Sequence, residues 1–268
     1  MRTRPLLTAA SATLGGALVA GGVHYGLSLR TIRRQSSEHP RFWASRIVAD
    51  MPSQRSTLSY VALGDSAASG VGVDDPESGY VSRIEQRLGE LSGQGVRTAN
   101  LSVPGASTWL LLEDQLPLFE QLPEPDVVTC IIGGNDMIDP KFTIEGFEWT
   151  LVRLFPRLPR GTVVSTIPSF GLPPFEKKVR AANQLIRAYA HDHGLYLADL
   201  YSATYALWPI KYFFHVAGDF FHPNERGYRV WADAIWEAVA RSFLDRRGAE
   251  AGEQPAARLA GASAGAQA

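Results

Sequence analysis

The segment that decides the fold reads Tyr-Val-Ala-Leu-Gly-Asp-Ser over residues 60–66, followed by Ala-Ala-Ser-Gly over residues 67–70. An apolar run of strand-forming residues that ends abruptly in small and polar ones is typical of a buried parallel strand. Such a strand delivers the Ser66 hydroxyl to the carboxyl edge of an α/β sheet, where ligands of these folds bind. Ser66 is therefore a candidate nucleophile, provided that the chain also supplies a base, an orienting acid and oxyanion donors.

Length and composition narrow the class of protein. The chain has 268 residues, 45% hydrophobic residues and a formal net charge of −1. This size allows one domain of about 200 residues with appendages. The charge argues against nucleic-acid binding, which normally requires a basic face. Cys130 is the only cysteine, so neither an intrachain disulfide nor a cysteine-rich metal site can form.

The N-terminal segment, residues 1–30, has no Asp, Glu, Lys or Arg between Arg4 and Arg30. This run is longer than the roughly 20 residues that a helix needs to span a bilayer. We expect a single membrane anchor with the enzyme domain outside the cytoplasm; the alternative is a cleaved signal peptide and a secreted protein. Residues 31–56 are polar and contain two prolines, which predicts a short helix or linker.

The remaining chain alternates apolar strand candidates with helical periodicity, which predicts a parallel sheet covered on both faces over residues 57–246. After the first strand, the predicted strands are 96–103, 126–132, 162–167 and 195–200, and the predicted helices are 79–91, 108–122, 143–155, 177–191 and 224–245. Residues 247–268 are rich in Ala, Gly, Gln and Glu and contain no aromatic residue, which predicts a disordered tail.

Polar blocks lie at strand ends or before the last helix, where packing does not require them. They are Gly-Asp-Ser at 64–66, Pro-Gly-Ala-Ser at 104–107, Gly-Gly-Asn-Asp at 133–136 and Asp-Phe-Phe-His-Pro-Asn at 219–224. Each block alone is an ordinary turn or helix cap. Their joint occurrence in this order is much harder to obtain by chance.

With these blocks the chain resembles the SGNH (GDSL-type) hydrolase family, whose name comes from a Ser, Gly, Asn and His in four blocks. The matching residues are Ser66, Gly105, Asn135 and His222; Ala67 replaces the Leu of the family name. The resemblance covers about residues 58–245. It implies a three-layer α/β/α sandwich with a flavodoxin-like five-stranded parallel sheet, and ester hydrolysis without a metal or other cofactor. It also implies an oxyanion hole formed by the backbone N–H groups of Ser66 and Gly105 and the side-chain amide of Asn135.

The same residue types follow from the chemistry of acyl transfer. A serine hydroxyl is a weak nucleophile unless a base removes its proton during attack. His222 suits that role because imidazole titrates near neutral pH. Asp219, three residues upstream, can accept a hydrogen bond from the other ring nitrogen and fix the tautomer. The predicted catalytic residues are therefore Ser66, Asp219 and His222.

Other polar residues have simpler explanations. His191 and His193 lie at a predicted helix end, where a cation favours the helix dipole. His215 is expected to pack in or beside a pocket, and Cys130 to be a buried, inert thiol. The aromatic residues between 201 and 221 are expected to pack this loop, and some of them to line a pocket together with Trp109 and Leu110. Such a pocket would take a small-molecule, lipid or carbohydrate ester.

Three other interpretations fit the sequence less well. An α/β-hydrolase elbow, Gly-x-Ser-x-Gly, is nearly matched at residues 64–68, but that fold places its nucleophile after several strands rather than after the first. The fingerprint of a dinucleotide site requires a third glycine, and this sequence has none at the required position after Gly70 and Gly72. A membrane-tethered binding module or inactive relative of the fold is expected to have lost a site residue, and none is missing.

Overall fold

The computed structural model describes the backbone of residues 4–49 and 57–264 and the side chains of residues 21–46 and 57–249. The strands of the sheet are β1 Thr57–Gly64, β2 Gly95–Asn100, β3 Val127–Ile131, β4 Val163–Ser165 and β5 Tyr196–Ala198. They are all parallel and lie in the order β2-β1-β3-β4-β5. This is the flavodoxin-like order, so the predicted sheet is confirmed.

Helices connect the strands and cover both faces of the sheet. They are α1 Arg4–Ala49, α2 Tyr80–Ser92, α3 Thr108–Leu110, α4 Leu116–Phe119, α5 Gly134–Ile138, α6 Ile144–Leu154, α7 Pro173–Asp192, α8 Leu200–Tyr205, α9 Lys211–Phe214 and α10 Glu225–Ala264. A π-helical turn, Leu111–Gln115, joins α3 to α4. Most predicted elements are found with ends shifted by a few residues, whereas the short helices α5, α8 and α9 were not predicted.

Alternating side chains of β1 divide the core into two halves. Val61 and Leu63 face a cluster that includes buried residues of α6 and α7, whereas Tyr60 and Ala62 face a cluster that includes those of α2 and α10. Because successive strand residues point to opposite faces, a strand that is apolar at nearly every position belongs in the middle of a three-layer sandwich.

The order of the strands locates the site. β1 pairs with β2 on one side, where Ala62 lies opposite Asn100, and with β3 on the other, where Gly64 lies opposite Ile131. The chain therefore reverses its winding direction at β1 and β3. Ligands of such sheets bind at the carboxyl ends of the strands on either side of this switch point.

The segment predicted as a short helix or linker, residues 31–56, is helical as far as Ala49, as the continuation of α1. Residues 50–56 and the first three residues lie outside the described backbone. The predicted anchor over residues 1–30 lies mostly outside the described side chains, and its role stays a prediction. Among the described residues, no helix carries an apolar stretch long enough to cross a bilayer.

The last helix is longer than the sequence predicted. It was expected to end near Asp245, but α10 continues to Ala264. This extension overlaps the tail that was predicted to be disordered, residues 247–268. It is rich in Ala, Glu, Gln and Arg, which are strong helix formers, although it also contains Pro255 and three glycines. Residues 265–268 lie outside the described part of the chain.

Candidate active site

Ser66 stands at the first turn beyond β1 and is almost fully buried, at 5% exposure. The strand end is clamped by Gln115 of the π-helical turn: Gly64 N donates to its Oε1 at 3.0 Å, and its Nε2 donates to Gly64 O at 2.7 Å. A Cβ at Gly64 would lie 2.6 Å from Ile131 O of the neighbouring strand, so only glycine fits there. Val71 N donates to Ser66 O at 2.9 Å and closes the loop around the serine.

His222 lies in the loop before α10, 156 residues away in the sequence, and meets Ser66 directly. Its Nε2 is 2.9 Å from Ser66 Oγ. Its Nδ1 is 2.6 Å from Asp219 Oδ2. The other oxygen of Asp219 accepts from the backbone N–H groups of Phe221 and His222, each at 3.2 Å.

The charge of Asp219 sets the direction of this hydrogen-bond chain. Burial alone would raise the pKa of Asp219, but the hydrogen bonds from His222 and from the two backbone N–H groups lower it below its ordinary value. An ionised carboxylate can only accept, so the Nδ1 of His222 must donate. This leaves Nε2 to accept the hydroxyl proton of Ser66.

Asn224 holds the loop that carries Asp219 and His222. Its side-chain oxygen accepts from the N–H groups of Arg226 and Gly227 at the start of α10, at 3.0 and 3.1 Å. Its Nδ2 donates to the carbonyls of Phe214 and Val216, both at 3.0 Å. Asn224 is therefore the N-cap of α10, and it also ties α10 to the segment that follows α9.

The backbone N–H groups of Ser66 and Gly105 are two of the donors that the family resemblance implies for an oxyanion. In the described part of the chain, no group accepts a hydrogen bond from the N–H of Ser66 or from that of Gly105. Gly105 has a left-handed φ of 84°, and a Cβ built there would meet open space. The glycine is therefore required by its backbone conformation and not by crowding.

Asn135 lies in the first turn after β3, where the sequence placed it, but its amide is engaged. Nδ2 donates to Ala106 O at 2.9 Å and, at a longer 3.3 Å, to Asp65 Oδ2. Asp136 accepts from Thr108, from the backbone N at 3.0 Å and from Oγ1 at 2.6 Å. These bonds tie the end of β3 to the Gly105 block.

Asp65 was not predicted to have a role of its own. It is buried beside Ser66, and its Oδ1 accepts from Ala67 N at 2.9 Å. Burial raises its pKa to about 6, against the opposing effects of the Ala67 hydrogen bond and of the nearby His222. The Gly-Asp-Ser motif pointed to this residue, but burial and the contact with Asn135 cannot be read from a motif.

A pocket opens next to Ser66 and His222. Its walls are largely apolar and come from the ends of β3 and β4, from the segment between α8 and α10, and from α10 itself. They include Ile132, Phe170, Leu207, Tyr212, Phe220 and Trp231. His215 lines the pocket, as expected. Trp109, expected there together with Leu110, packs instead against Trp149, with ring centroids 5.3 Å apart. Lys211, a buried residue, also reaches this pocket.

The remaining candidates lie away from this site. His193 follows the last residue of α7, and His191 in its last turn approaches Asp192 at 3.3 Å. Cys130 is buried within β3, which raises the pKa of its thiol to about 12. Among the described residues, no three His, Cys, Asp or Glu side chains form a group that could hold a metal ion.

Comparison with known proteins identifies the family of this chain. Residues 62–230 match the GDSL-like Lipase/Acylhydrolase family, and the chain belongs to this family.

One relative and two solved structures illustrate the likeness. The spore germination lipase LipC of Bacillus licheniformis is 33% identical over 84 residues, which are 31% of this chain and 40% of that protein. The chain thus spans about two fifths of the length of this curated relative. LAE5, an alpha/beta hydrolase enzyme from the metagenome of Lake Arreo, is 25% identical with a TM-score of 0.54, covering 70% of this chain and 97% of LAE5. A lipolytic G-D-S-L family protein of Veillonella parvula is 22% identical with a TM-score of 0.57, covering 69% and 99%.

Proposed function

We propose that this protein is a serine esterase that cleaves carboxylic esters through an acyl-enzyme. The observation that carries the proposal is the hydrogen-bond chain from Asp219 Oδ2 through His222 to Ser66 Oγ, with links of 2.6 and 2.9 Å. A buried serine with a base on its hydroxyl and an ionised acid behind the base is the arrangement that activates a hydroxyl for acyl transfer.

The reaction proceeds in two halves. Ser66 Oγ attacks the ester carbonyl carbon while its proton moves to Nε2 of His222, and Asp219 stabilises the resulting imidazolium. The tetrahedral intermediate collapses, the alkoxide takes the proton from His222, and the alcohol leaves. Water then attacks the acyl-serine with His222 again as base, which releases the carboxylic acid and restores Ser66.

Stabilisation of the oxyanion is assigned to Ser66, Gly105 and Asn135. The unpaired N–H groups of Ser66 and Gly105 support this assignment because they need no rearrangement to donate. The side-chain amide of Asn135 already donates to two acceptors, so it must give up one of them before it can donate to the oxyanion. The bond to Asp65 is the longer of its two, at 3.3 Å against 2.9 Å, so we propose that this bond is exchanged for the oxyanion.

The pocket suits an apolar part of the substrate. Its apolar walls begin beside Ser66 and His222, so an acyl chain or an apolar alcohol bound there lies next to the attacking hydroxyl. The lipase name of the Bacillus licheniformis relative supports an ester with an apolar acyl group for this chain as well.

Steady-state hydrolysis of p-nitrophenyl esters of increasing chain length tests this proposal. Wild-type protein should turn over a subset of the series, and Ser66→Ala should abolish turnover. Ser69→Ala is the matched control, since this serine lies in the same loop and bonds Ser102 rather than His222. Retained hydrolysis in Ser66→Ala would contradict the assignment. A folded wild-type protein that cleaves no ester would favour a non-catalytic binding module of the same fold.

A further inference from the structure

Helix α1 is an addition to the part of the chain that the family shares. The family match begins at residue 62, after α1 has ended. About seven tenths of this chain suffices to cover 97–99% of the solved structures of LAE5 and the Veillonella parvula protein. Helix α1 thus lies outside the region that the family shares, yet it packs onto that region.

One face of α1 is buried against the domain. Gln35, His39 and Trp43 are 3%, 3% and 1% exposed. They are spaced four residues apart, which places them in one row along the helix. Two of the three are polar, and an amphipathic helix that only covers a core would present apolar residues here.

The polar atoms of this row bind the loop that carries the nucleophile. Gly72 N donates to Gln35 Oε1 at 2.9 Å. The indole Nε1 of Trp43 donates to Ser69 O at 3.2 Å. Gly72 in turn packs so closely against Pro223 and the Cβ of His222 that no side chain fits at this position. The backbone that α1 holds thus also packs against the loop that carries His222.

An earlier turn of α1 contacts the loop that carries the acid and base. The ring of Tyr25 stacks on Phe220, with centroids 6.3 Å and planes 25° apart. Phe220 lies between Asp219 and His222 and has a φ of +60°, a left-handed conformation that is costly for a bulky residue. Strained residues of this kind persist only where their surroundings hold them.

We propose that Tyr25 and Gln35 are positioning residues, and that α1 keeps the nucleophile loop and the acid–base loop at the spacing that lets Ser66 Oγ meet His222 Nε2. The inference rests on the proposed esterase function. Its physical basis is that these catalytic groups come from two loops that are far apart in the sequence, and one helix contacts both loops. Catalysis is sensitive to this spacing, because a misplacement of about 1 Å can cost roughly 100-fold in rate.

The variants Tyr25→Ala and Gln35→Met test this in the full chain, by kcat and KM on one p-nitrophenyl ester together with thermal unfolding. Tyr25→Phe keeps the stacking ring, and Ser37→Ala alters an exposed residue of the same helix. We expect kcat to fall by about tenfold or more in Tyr25→Ala and in Gln35→Met, with KM within about twofold of wild type. Tyr25→Phe and Ser37→Ala should retain the wild-type kcat.

The outcomes separate positioning from support of the fold. Folded Tyr25→Ala and Gln35→Met proteins with the wild-type kcat would overturn the inference while leaving the esterase function intact. A raised KM at unchanged kcat would also overturn it. If either variant is unstable, measurement well below its Tm decides: a deficit in kcat that persists there supports positioning, and recovery of the wild-type kcat refutes it. A wild-type protein that hydrolyses no ester would instead remove the proposed function, and this inference with it.

Discussion

The buried carboxyl of Asp65 makes the stability of the fold depend on pH in a predictable direction. Its pKa is raised from 3.8 to about 6 in the folded protein, chiefly by burial. A raised carboxyl pKa favours the folded state when the group is protonated. This contribution is fully present below pH 3.8 and is lost as the pH rises through 6.

The magnitude follows from the same two values. A difference between 3.8 and about 6 corresponds to about 3 kcal/mol, at about 1.4 kcal/mol for each pH unit. Asp65→Asn removes the charge and keeps an oxygen that can accept from Ala67 N. We therefore expect the variant to gain up to about 3 kcal/mol in free energy of unfolding relative to wild type at pH 8, and little at pH 3.5. The value of about 3 kcal/mol is an upper limit, because the amide nitrogen introduced at position 65 cannot accept the hydrogen bond that Asn135 donates to Asp65.

Urea unfolding of wild type and Asp65→Asn at pH 3.5, 5, 6.5 and 8 measures this difference. Asp114→Asn is the control, because Asp114 is exposed on the surface, and its difference from wild type should stay within about 0.5 kcal/mol at every pH. The reasoning would be refuted if the gain in free energy of unfolding of Asp65→Asn over wild type did not change with pH, or if it fell between pH 3.5 and pH 8.

Three further substitutions probe other parts of the site. Asp219→Asn should lower kcat by a factor on the order of 10⁴ because the amide no longer fixes the tautomer of His222, with Tm little changed; an unaltered kcat would mean that another group orients the ring. Asn135→Ala should lower kcat about 10²- to 10³-fold at nearly constant KM, whereas a raised KM at constant kcat would show that the amide only binds substrate. Gln115→Leu removes two buried hydrogen bonds to Gly64 and should lower the free energy of unfolding by about 2–4 kcal/mol in urea titrations; a loss below about 0.5 kcal/mol would show that the clamp does not stabilise the strand end.

The sequence predicted those features that depend on local pattern. The apolar run before Ser66 and the fully buried β3 predict central strands, because a strand covered on both faces must be apolar at nearly every position. Blocks at the ends of parallel strands are brought to one edge of the sheet by topology alone. His222 lies instead in the loop before α10, so its pairing with Ser66, 156 residues away, was predicted from the family resemblance and from the chemistry of acyl transfer.

Features that depend on which element packs where could not be predicted. Gln115 and Gln35 are ordinary helix residues in sequence, and only the tertiary structure places their amides against Gly64 and Gly72. The segment containing Gln35, residues 31–56, is polar and contains Pro40 and Pro52, which is equally typical of a linker. The engagement of the Asn135 amide depends on distances of a few tenths of an ångström, to which motifs are insensitive.

The central claim is that Ser66 is the nucleophile, and mass spectrometry after reaction with a fluorophosphonate tests it most directly. We predict one phosphonyl adduct per chain on the peptide that contains Ser66, no adduct in Ser66→Ala, and much slower labelling in His222→Ala. Adducts on another residue, or none on folded wild-type protein, would contradict it.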